Sequence, residues 1–322
     1  MKRIAAFVFL VFITGCFPTT VKMFTDGTEP LREFVVEGKG KDKVLIISVQ
    51  GVVTDQGEKD MLGSKPGLVS EILAQLKKAG HDPRIKALVL KVDSPGGTVT
   101  ASDILYHEIS RFKTEKNIPV VVSILNVGAS GGYYLSLPAD RIIAHPTSIV
   151  GSVGVIYMRP KVYGLMDKIG LKMEVNTSGE DKDMGSPFKA ATEEERVYFQ
   201  NMIDTLAGRF YSLVQTHRKL SPPAFETMKK AGVFLPEQAL KLRLIDGIGY
   251  LPESIVEAVK LAGLDQGYSV VTYRRDRFPD DTVYNNASAE MKTIAPLNVK
   301  LPGLTDMPAG FYYLCPLFSQ GE

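Results

Sequence analysis

Metal ligands are scarce in this chain: it has two cysteines, Cys16 and Cys315, and four histidines, His81, His107, His145 and His217. They lie far apart and match no ligand spacing, which speaks against a structural zinc. Excess charge is missing too. A formal net charge of +2, with basic residues scattered evenly, leaves no electrostatic footprint for DNA, RNA or acidic lipid. No Gly-Lys-Ser/Thr phosphate loop occurs, and no G-x-G-x-x-G opens a helix after a strand, so a nucleotide site has little support. No cofactor is expected. The one apolar run near the start, Ile4 to Phe12, is too short for a stable membrane span. What the chain does have is length and 44% hydrophobic residues, enough for a sizeable core.

The first residues have the anatomy of a secretory signal: Lys2-Arg3, the apolar Ile4 to Phe12, then small residues before Cys16. Ile13-Thr14-Gly15-Cys16 resembles a bacterial lipobox, in which the cysteine is diacylated and becomes the mature N-terminus. Such lipid groups would anchor the protein without a transmembrane helix. The expected organisation is a signal peptide over 1–15, a lipidated tether over 16–43, a folded domain over 44–265 and a C-terminal extension over 266–322. The anchor places the domain on the extracytoplasmic side of a bacterial envelope, and Phe17 after Cys16 leans toward the outer membrane.

Within the domain, Val44 to Val49, Ala87 to Val92 and Ile118 to Leu125 read as buried strands. Helical stripes at 68–76 and 101–112 separate them, the pattern of βαβ units and a parallel sheet. Arg141 to Ala144, Ser152 to Tyr157 and Leu171 to Val175 read as further short strands. Thr192-Glu193-Glu194-Glu195 reads as a capping box opening a long helix, and helices are expected from Ser221-Pro222, Pro236 and Pro252. The tail from Asp276 reads as irregular, apart from the apolar Phe311-Tyr312-Tyr313-Leu314.

Two of the strand-to-helix turns carry glycine pairs, Gly96-Gly97 and Gly131-Gly132, at the sheet edge where ligands bind in open α/β folds. The second includes Ser130 in Ala129-Ser130-Gly131-Gly132. A strand, tight turn and helix with serine at the turn lifts the hydroxyl clear of the strand and aims free N–H groups at whatever it attacks. A helix-capping serine among packing glycines is the plainer reading of that stretch taken alone.

Asp93-Ser94-Pro95-Gly96-Gly97, Ala129-Ser130-Gly131-Gly132-Tyr133-Tyr134, Gly151-Ser152-Val153-Gly154-Val155 and Ser178-Gly179-Glu180-Asp181-Lys182-Asp183 stand in the order and spacing of bacterial signal peptide peptidase A. The chain resembles that family, in its short single-copy form, over roughly residues 40–265. The resemblance implies a Clp protease/crotonase-like α/β fold with repeated ββα and βαβ units, a parallel sheet flanked by helices. It implies a serine endopeptidase with Ser130 as nucleophile and Lys182 as general base. Ser152 would orient the lysine, and the N–H groups of Gly97 and Gly131 would form the oxyanion hole. It implies a dome-shaped homo-oligomeric ring of eight protomers, in which Ser130 meets a neighbour's Lys182. Asp93 departs from the family, where Asn is common, as does the Asn126-Val127 lead-in, and neither touches the reacting groups.

The chemistry of these residue types agrees. Serine attacks poorly until a base takes its proton, and lysine serves as that base when it is held neutral. His145, with Asp140 or Asp183, is a weaker candidate for a Ser/His triad. The expected function is degradation of remnant signal peptides and other apolar or unfolded peptides at the membrane. A catalytically silent envelope lipoprotein of the same fold and a crotonase-type acyl-CoA enzyme are the alternatives, the latter at odds with an export signal.

Overall fold

Alternating β-branched runs and amphipathic helices build an α/β structure in the computed structural model, which describes residues 29–60, 63–265, 267–275, 278, 280–285 and 310–315. The signal sequence and Cys16 lie outside the described residues. In chain order the elements are β1 (Arg32–Gly38), β2 (Asp42–Gln50), β3 (Glu58–Asp60), β4 (Gly63–Lys65), α1 (Leu68–Gly80), β5 (Ile85–Ser94), β6 (Gly96–Thr98), α2 (Val99–Lys116), β7 (Val120–Ala129), α3 (Gly131–Tyr134), β8 (Arg141–Ala144), β9 (Ile149–Gly151) and β10 (Ile156–Met158). They continue with α4 (Tyr163–Lys168), a 3-10 turn (Glu180–Asp183), α5 (Glu193–Arg218), α6 (Pro222–Met228), β11 (Val233–Phe234), α7 (Pro236–Lys241), β12 (Gly247–Ile248), α8 (Leu251–Leu261), β13 (Tyr268–Arg274) and β14 (Gly310–Leu314).

The main sheet runs β1-β13-β2-β5-β7-β8-β12, with β9 on the later part of β7 and β11 beside β9. From β13 to β12 every pairing is parallel, while β1 on β13 and β11 on β9 are antiparallel. Strands β2, β5 and β7 are covered on both faces, which is why their sequences are nearly continuous Val, Ile and Leu. On one face Leu45, Ile47, Leu88, Leu90 and Val122 share a core with Ile72 and Leu76 of α1 and Leu105 and Ile109 of α2. On the other, Val44, Ile46, Val89 and Val121 meet Leu251 and Ile255 of α8. Each such fully buried aliphatic side chain stabilises the fold by roughly 1.5–3 kcal/mol.

The parallel α/β architecture is the one expected, and the sheet reaches past residues 44–265 on both sides through β1 and β13. Two strand expectations are corrected. Residues 171–177 have no regular structure and are exposed throughout, since the alternating Leu171-Lys172-Met173-Glu174-Val175 pairs with no strand among the described residues. The stretch 152–157 is not one strand, because Ser152 takes φ 50 and turns the backbone between β9 and β10.

The C-terminal region folds back over the sheet. The Nζ of Lys91, buried on β5, donates to the carbonyls of Tyr284 at 3.0 Å and Asn285 at 2.6 Å. Burial, with Arg274 nearby, pushes this amine down to about 8. Farther along, β14 forms the middle of a second, antiparallel sheet, β10-β14-β6.

Candidate active site

Ser130 sits between β7 and the single turn of α3, with φ 52 and ψ −116. Positive φ is costly for a residue with a Cβ, on the order of 1–3 kcal/mol, and persists only where the surroundings enforce it. Here the Ser130 N–H donates to the Gly151 carbonyl at 2.7 Å, and the Ser130 carbonyl accepts from the Tyr134 N–H at 2.8 Å. The strand-turn-helix reading therefore describes a strained turn pinned on both sides. The Ser130 hydroxyl is buried and has no hydrogen-bond partner among the described residues.

Facing this turn is β6. Ser94 at the end of β5 donates its hydroxyl to the Gly51 carbonyl at 2.7 Å and accepts the Gly96 N–H at 3.1 Å, which fixes the Pro95 corner. The Val53 N–H donates to the Gly96 carbonyl and the Thr98 N–H to the Val53 carbonyl. The Gly97 N–H and C=O must then point the opposite way, toward β14. No side chain fits at Gly97, where a Cβ would lie 1.9 Å from the Val53 carbonyl oxygen.

The occupant of that edge is the chain's own C-terminal strand. Tyr313 pairs with Gly97 and Tyr312 with Thr98, while the Cys315 N–H donates to the Pro95 carbonyl at 2.8 Å. A Cβ on Gly131 would lie 3.0 Å from the Tyr313 carbonyl oxygen, and one on Gly96 would lie 2.6 Å from the Gly131 nitrogen. The backbone at Gly97, the backbone at Gly131 and the carbonyl of Tyr313 thus converge beside Ser130. On its other side β14 pairs with β10, Ile156 opposite Tyr312 and Met158 opposite Gly310. Without β14 this is a slot between two strand edges, the form in which proteins bind extended peptides by adding a strand.

Pockets receive the side chains of β14. The Tyr313 ring stacks on Tyr134 with centroids 4.9 Å apart, lies 4.9 Å from Phe210, and donates its hydroxyl to the Leu206 carbonyl at 3.0 Å. Tyr134 is held by Asp103, which also takes Arg209. Burial, together with the hydrogen bond to Asp103, raises the Tyr134 phenol, so it stays neutral. The Phe311 ring stacks on Tyr157 at 4.6 Å, and Tyr157 on Phe199 at 4.5 Å. The sequence shows Tyr134 in the serine motif and Phe311 to Leu314 as an apolar run, but not that the two meet.

The remaining candidates are placed as follows. Ser152 is almost fully buried one residue beyond Gly151, the acceptor of the Ser130 N–H, and its own N–H donates to the Gly232 carbonyl at 2.8 Å. Lys182 is exposed in the 3-10 turn; its N–H donates to the Gly179 carbonyl at 3.1 Å, and its side chain makes no hydrogen bond or ion pair among the described residues. The chain does not bring it to Ser130. His145 pairs its Nδ1 with the Thr147 hydroxyl at 2.9 Å and packs edge-on against Tyr250, while Asp140 holds Lys113 and Asp183 holds Lys189. The Ser/His alternative finds no contact here.

The family model of peptidase family S49 matches residues 112–265. An Enterococcus faecium protein named as signal peptide peptidase SppA is 31% identical over 255 residues, covering 79% of this chain and 74% of that protein. The chain belongs to the S49 peptidase family. A Methanocaldococcus jannaschii protein named as a protease is 37% identical to this S49 peptidase over 183 residues, 57% of this chain and 58% of that one. Among solved structures, a point mutant of ClpP1 from Listeria monocytogenes aligns over 65% of this chain and 94% of its own with a TM-score of 0.42 and 14% identity.

Proposed function

We propose that this S49 peptidase is a membrane-anchored serine endopeptidase that degrades remnant signal peptides and other apolar or unfolded peptides. The observation that carries the reading is β14, an extended segment seated in the slot between β6 and β10 with the Tyr313 carbonyl beside Gly97, Gly131 and Ser130. A substrate entering the same slot would present a peptide carbonyl to Ser130. The serine oxygen attacks the carbonyl carbon while the Lys182 amine takes its proton. The negative oxygen that forms is met by the N–H groups of Gly97 and Gly131, each such donor worth roughly 3 kcal/mol in the transition state. Collapse breaks the C–N bond, and the lysine ammonium returns the proton to the departing amine. Water then attacks the acyl-serine by the reverse sequence and frees the acid. Ser152 offers a hydroxyl to direct the amine.

Strand pairing recognises any extended backbone, so selectivity rests with the pockets. Those around Tyr313 and Phe311 are aromatic and take large apolar side chains, as signal peptides carry. A silent scaffold has no use for a buried, unpartnered serine hydroxyl in a strained turn. The test is a fluorophosphonate probe, which should label Ser130, and faster in a chain ending at residue 309, whose slot is open. Failure of both proteins to label, with neither cleaving an apolar peptide ester, would leave the scaffold reading.

The lipid anchor is part of this proposal and rests on Ile13-Thr14-Gly15-Cys16. Cys16→Ser is expected to move the protein out of the membrane fraction or to block its maturation. Incorporation of labelled palmitate that survives the substitution would refute the lipidation.

A further inference from the structure

The side chain of Lys182 has no partner among the described residues, so its reach depends on the backbone that carries it. That backbone is fixed by a chain of ionic contacts. Asp183, next in sequence, accepts from the Lys189 Nζ at 2.7 Å, and the same Nζ meets the Glu195 Oε1 at 2.9 Å. The Glu195 Oε2 faces the Arg159 Nη1 at 3.6 Å, both atoms buried and without a hydrogen-bond partner among the described residues. The Lys161 Nζ adds bonds to the carbonyls of Ser186 at 2.6 Å and Lys189 at 3.0 Å. Gly185, at φ 83, lies directly over Arg159, where a Cβ would come within 3.1 Å of Nη1.

The helix does not explain Glu195. It stands at the third position of α5, where a glutamate ordinarily reaches back to the capping residue's N–H. The Thr192 hydroxyl accepts the Glu195 N–H at 3.1 Å, but the carboxylate turns away to Lys189 and Arg159. Burial alone would raise this carboxyl, and the two cations more than offset that, leaving it below its usual value. A buried ion pair is weak support for stability, since apolar replacements often do as well, and its better-attested use is to fix one arrangement.

The clamp also touches the peptide slot. The Arg159 guanidinium lies 4.7 Å from the Phe199 ring and 5.8 Å from that of Tyr157, the two rings on which Phe311 of β14 packs. We infer that Glu195, seated on Arg159, is a positioning residue for the general base, and that a large side chain at the Phe311 position of a bound peptide completes the stack beneath it. The inference rests on the reading of Lys182 as base.

The expected result for Glu195→Gln in the full-length protein is a kcat lowered about tenfold or more at nearly unchanged KM, since small misplacements of a reacting group are costly. Lys189→Met breaks the same link from a half-exposed position, leaves the Arg159–Glu195 pair in place and should act alike. Glu195→Asp should restore part of the loss. A substrate with Ala in place of Phe at the third residue before the scissile bond, the place of Phe311 when the Tyr313 carbonyl is the one attacked, should lose kcat in the wild type and lose less in Glu195→Gln. Wild-type kcat in both Glu195→Gln and Lys189→Met, or a change confined to KM, overturns the inference. If Glu195→Gln does not fold, Lys189→Met decides. The two levels separate cleanly: full activity in Lys182→Ala removes the base and this inference with it, whereas an inactive Lys182→Ala beside wild-type kcat in every folded one of Glu195→Gln and Lys189→Met removes the inference alone.

Discussion

Ser130→Ala is expected to abolish cleavage of an apolar peptide ester, by about 10³-fold or more, while the protein melts at the same temperature or about a degree or two higher. Removing a nucleophilic serine from a dyad or triad costs on that scale, and what survives comes from the oxyanion hole and binding. The stability half of the expectation follows from the site. The hydroxyl is buried without a partner among the described residues, and leaving such a group unsatisfied costs about 1–3 kcal/mol, which alanine would recover in part. Alanine keeps the Cβ, so the strain at φ 52 is unchanged. A gain of about 1 kcal/mol would raise the melting temperature by roughly 1–2 °C in a chain of this size. Activity and melting temperature measured on one preparation check both halves. Activity lost together with a lower melting temperature would make Ser130 a structural residue, and near-wild-type turnover would remove it from the chemistry.

The sequence made the centre of the sheet plain and its margins obscure, for a physical reason. Strands β2, β5 and β7 are buried on both faces, so their composition alone betrays them. Strand β1, Arg-Glu-Phe-Val-Val-Glu-Gly, lies at the edge with mostly exposed side chains, and its polar residues read as a tether. The serine turn was legible because strand, small residues and short helix are local. Its strain was not, since the pinning bonds come from Gly151 and, at the neighbouring Ser152, from Gly232.

The seat of β14 was hidden more deeply. Phe311 to Leu314 is visibly apolar, yet nothing within it names β6 and β10, which lie more than 150 residues earlier in the chain, as its partners. Glu195 shows the opposite failure. Its capping-box spacing was readable and half correct, but the carboxylate serves Lys189 and Arg159 instead, contacts that only the folded loop brings within reach. Lys182 is a polar loop residue by every local criterion, and only the family resemblance singles it out.

Lys182→Arg is expected to be as damaging as Lys182→Ala, with both rates down by about 10³-fold or more. Arginine keeps the charge and much of the length, so a residue acting as a charge partner would survive the change. A base would not, because the guanidinium holds its proton at any pH the protein tolerates. Substantial activity in Lys182→Arg would therefore recast Lys182 as an electrostatic partner. The same lysine decides how the site is assembled. In the single chain it stands exposed, a few residues after a segment with Leu171, Met173 and Val175 open to solvent, and among the described residues that segment has no strand to pair with and the Ser130 hydroxyl no partner. Both facts favour a ring in which the lysine of one protomer serves the serine of the next. Heterologous contacts that close into a ring give each subunit one half of two sites. Ser130→Ala and Lys182→Ala chains, each inactive alone, should then recover about a quarter of the wild-type rate when mixed equally and exchanged, because each interface draws its serine and its lysine independently. Recovery absent from rings shown to be mixed would place the dyad within one chain, and the exposed turn at 180–183 would then have to fold back onto Ser130 of its own protomer when substrate binds.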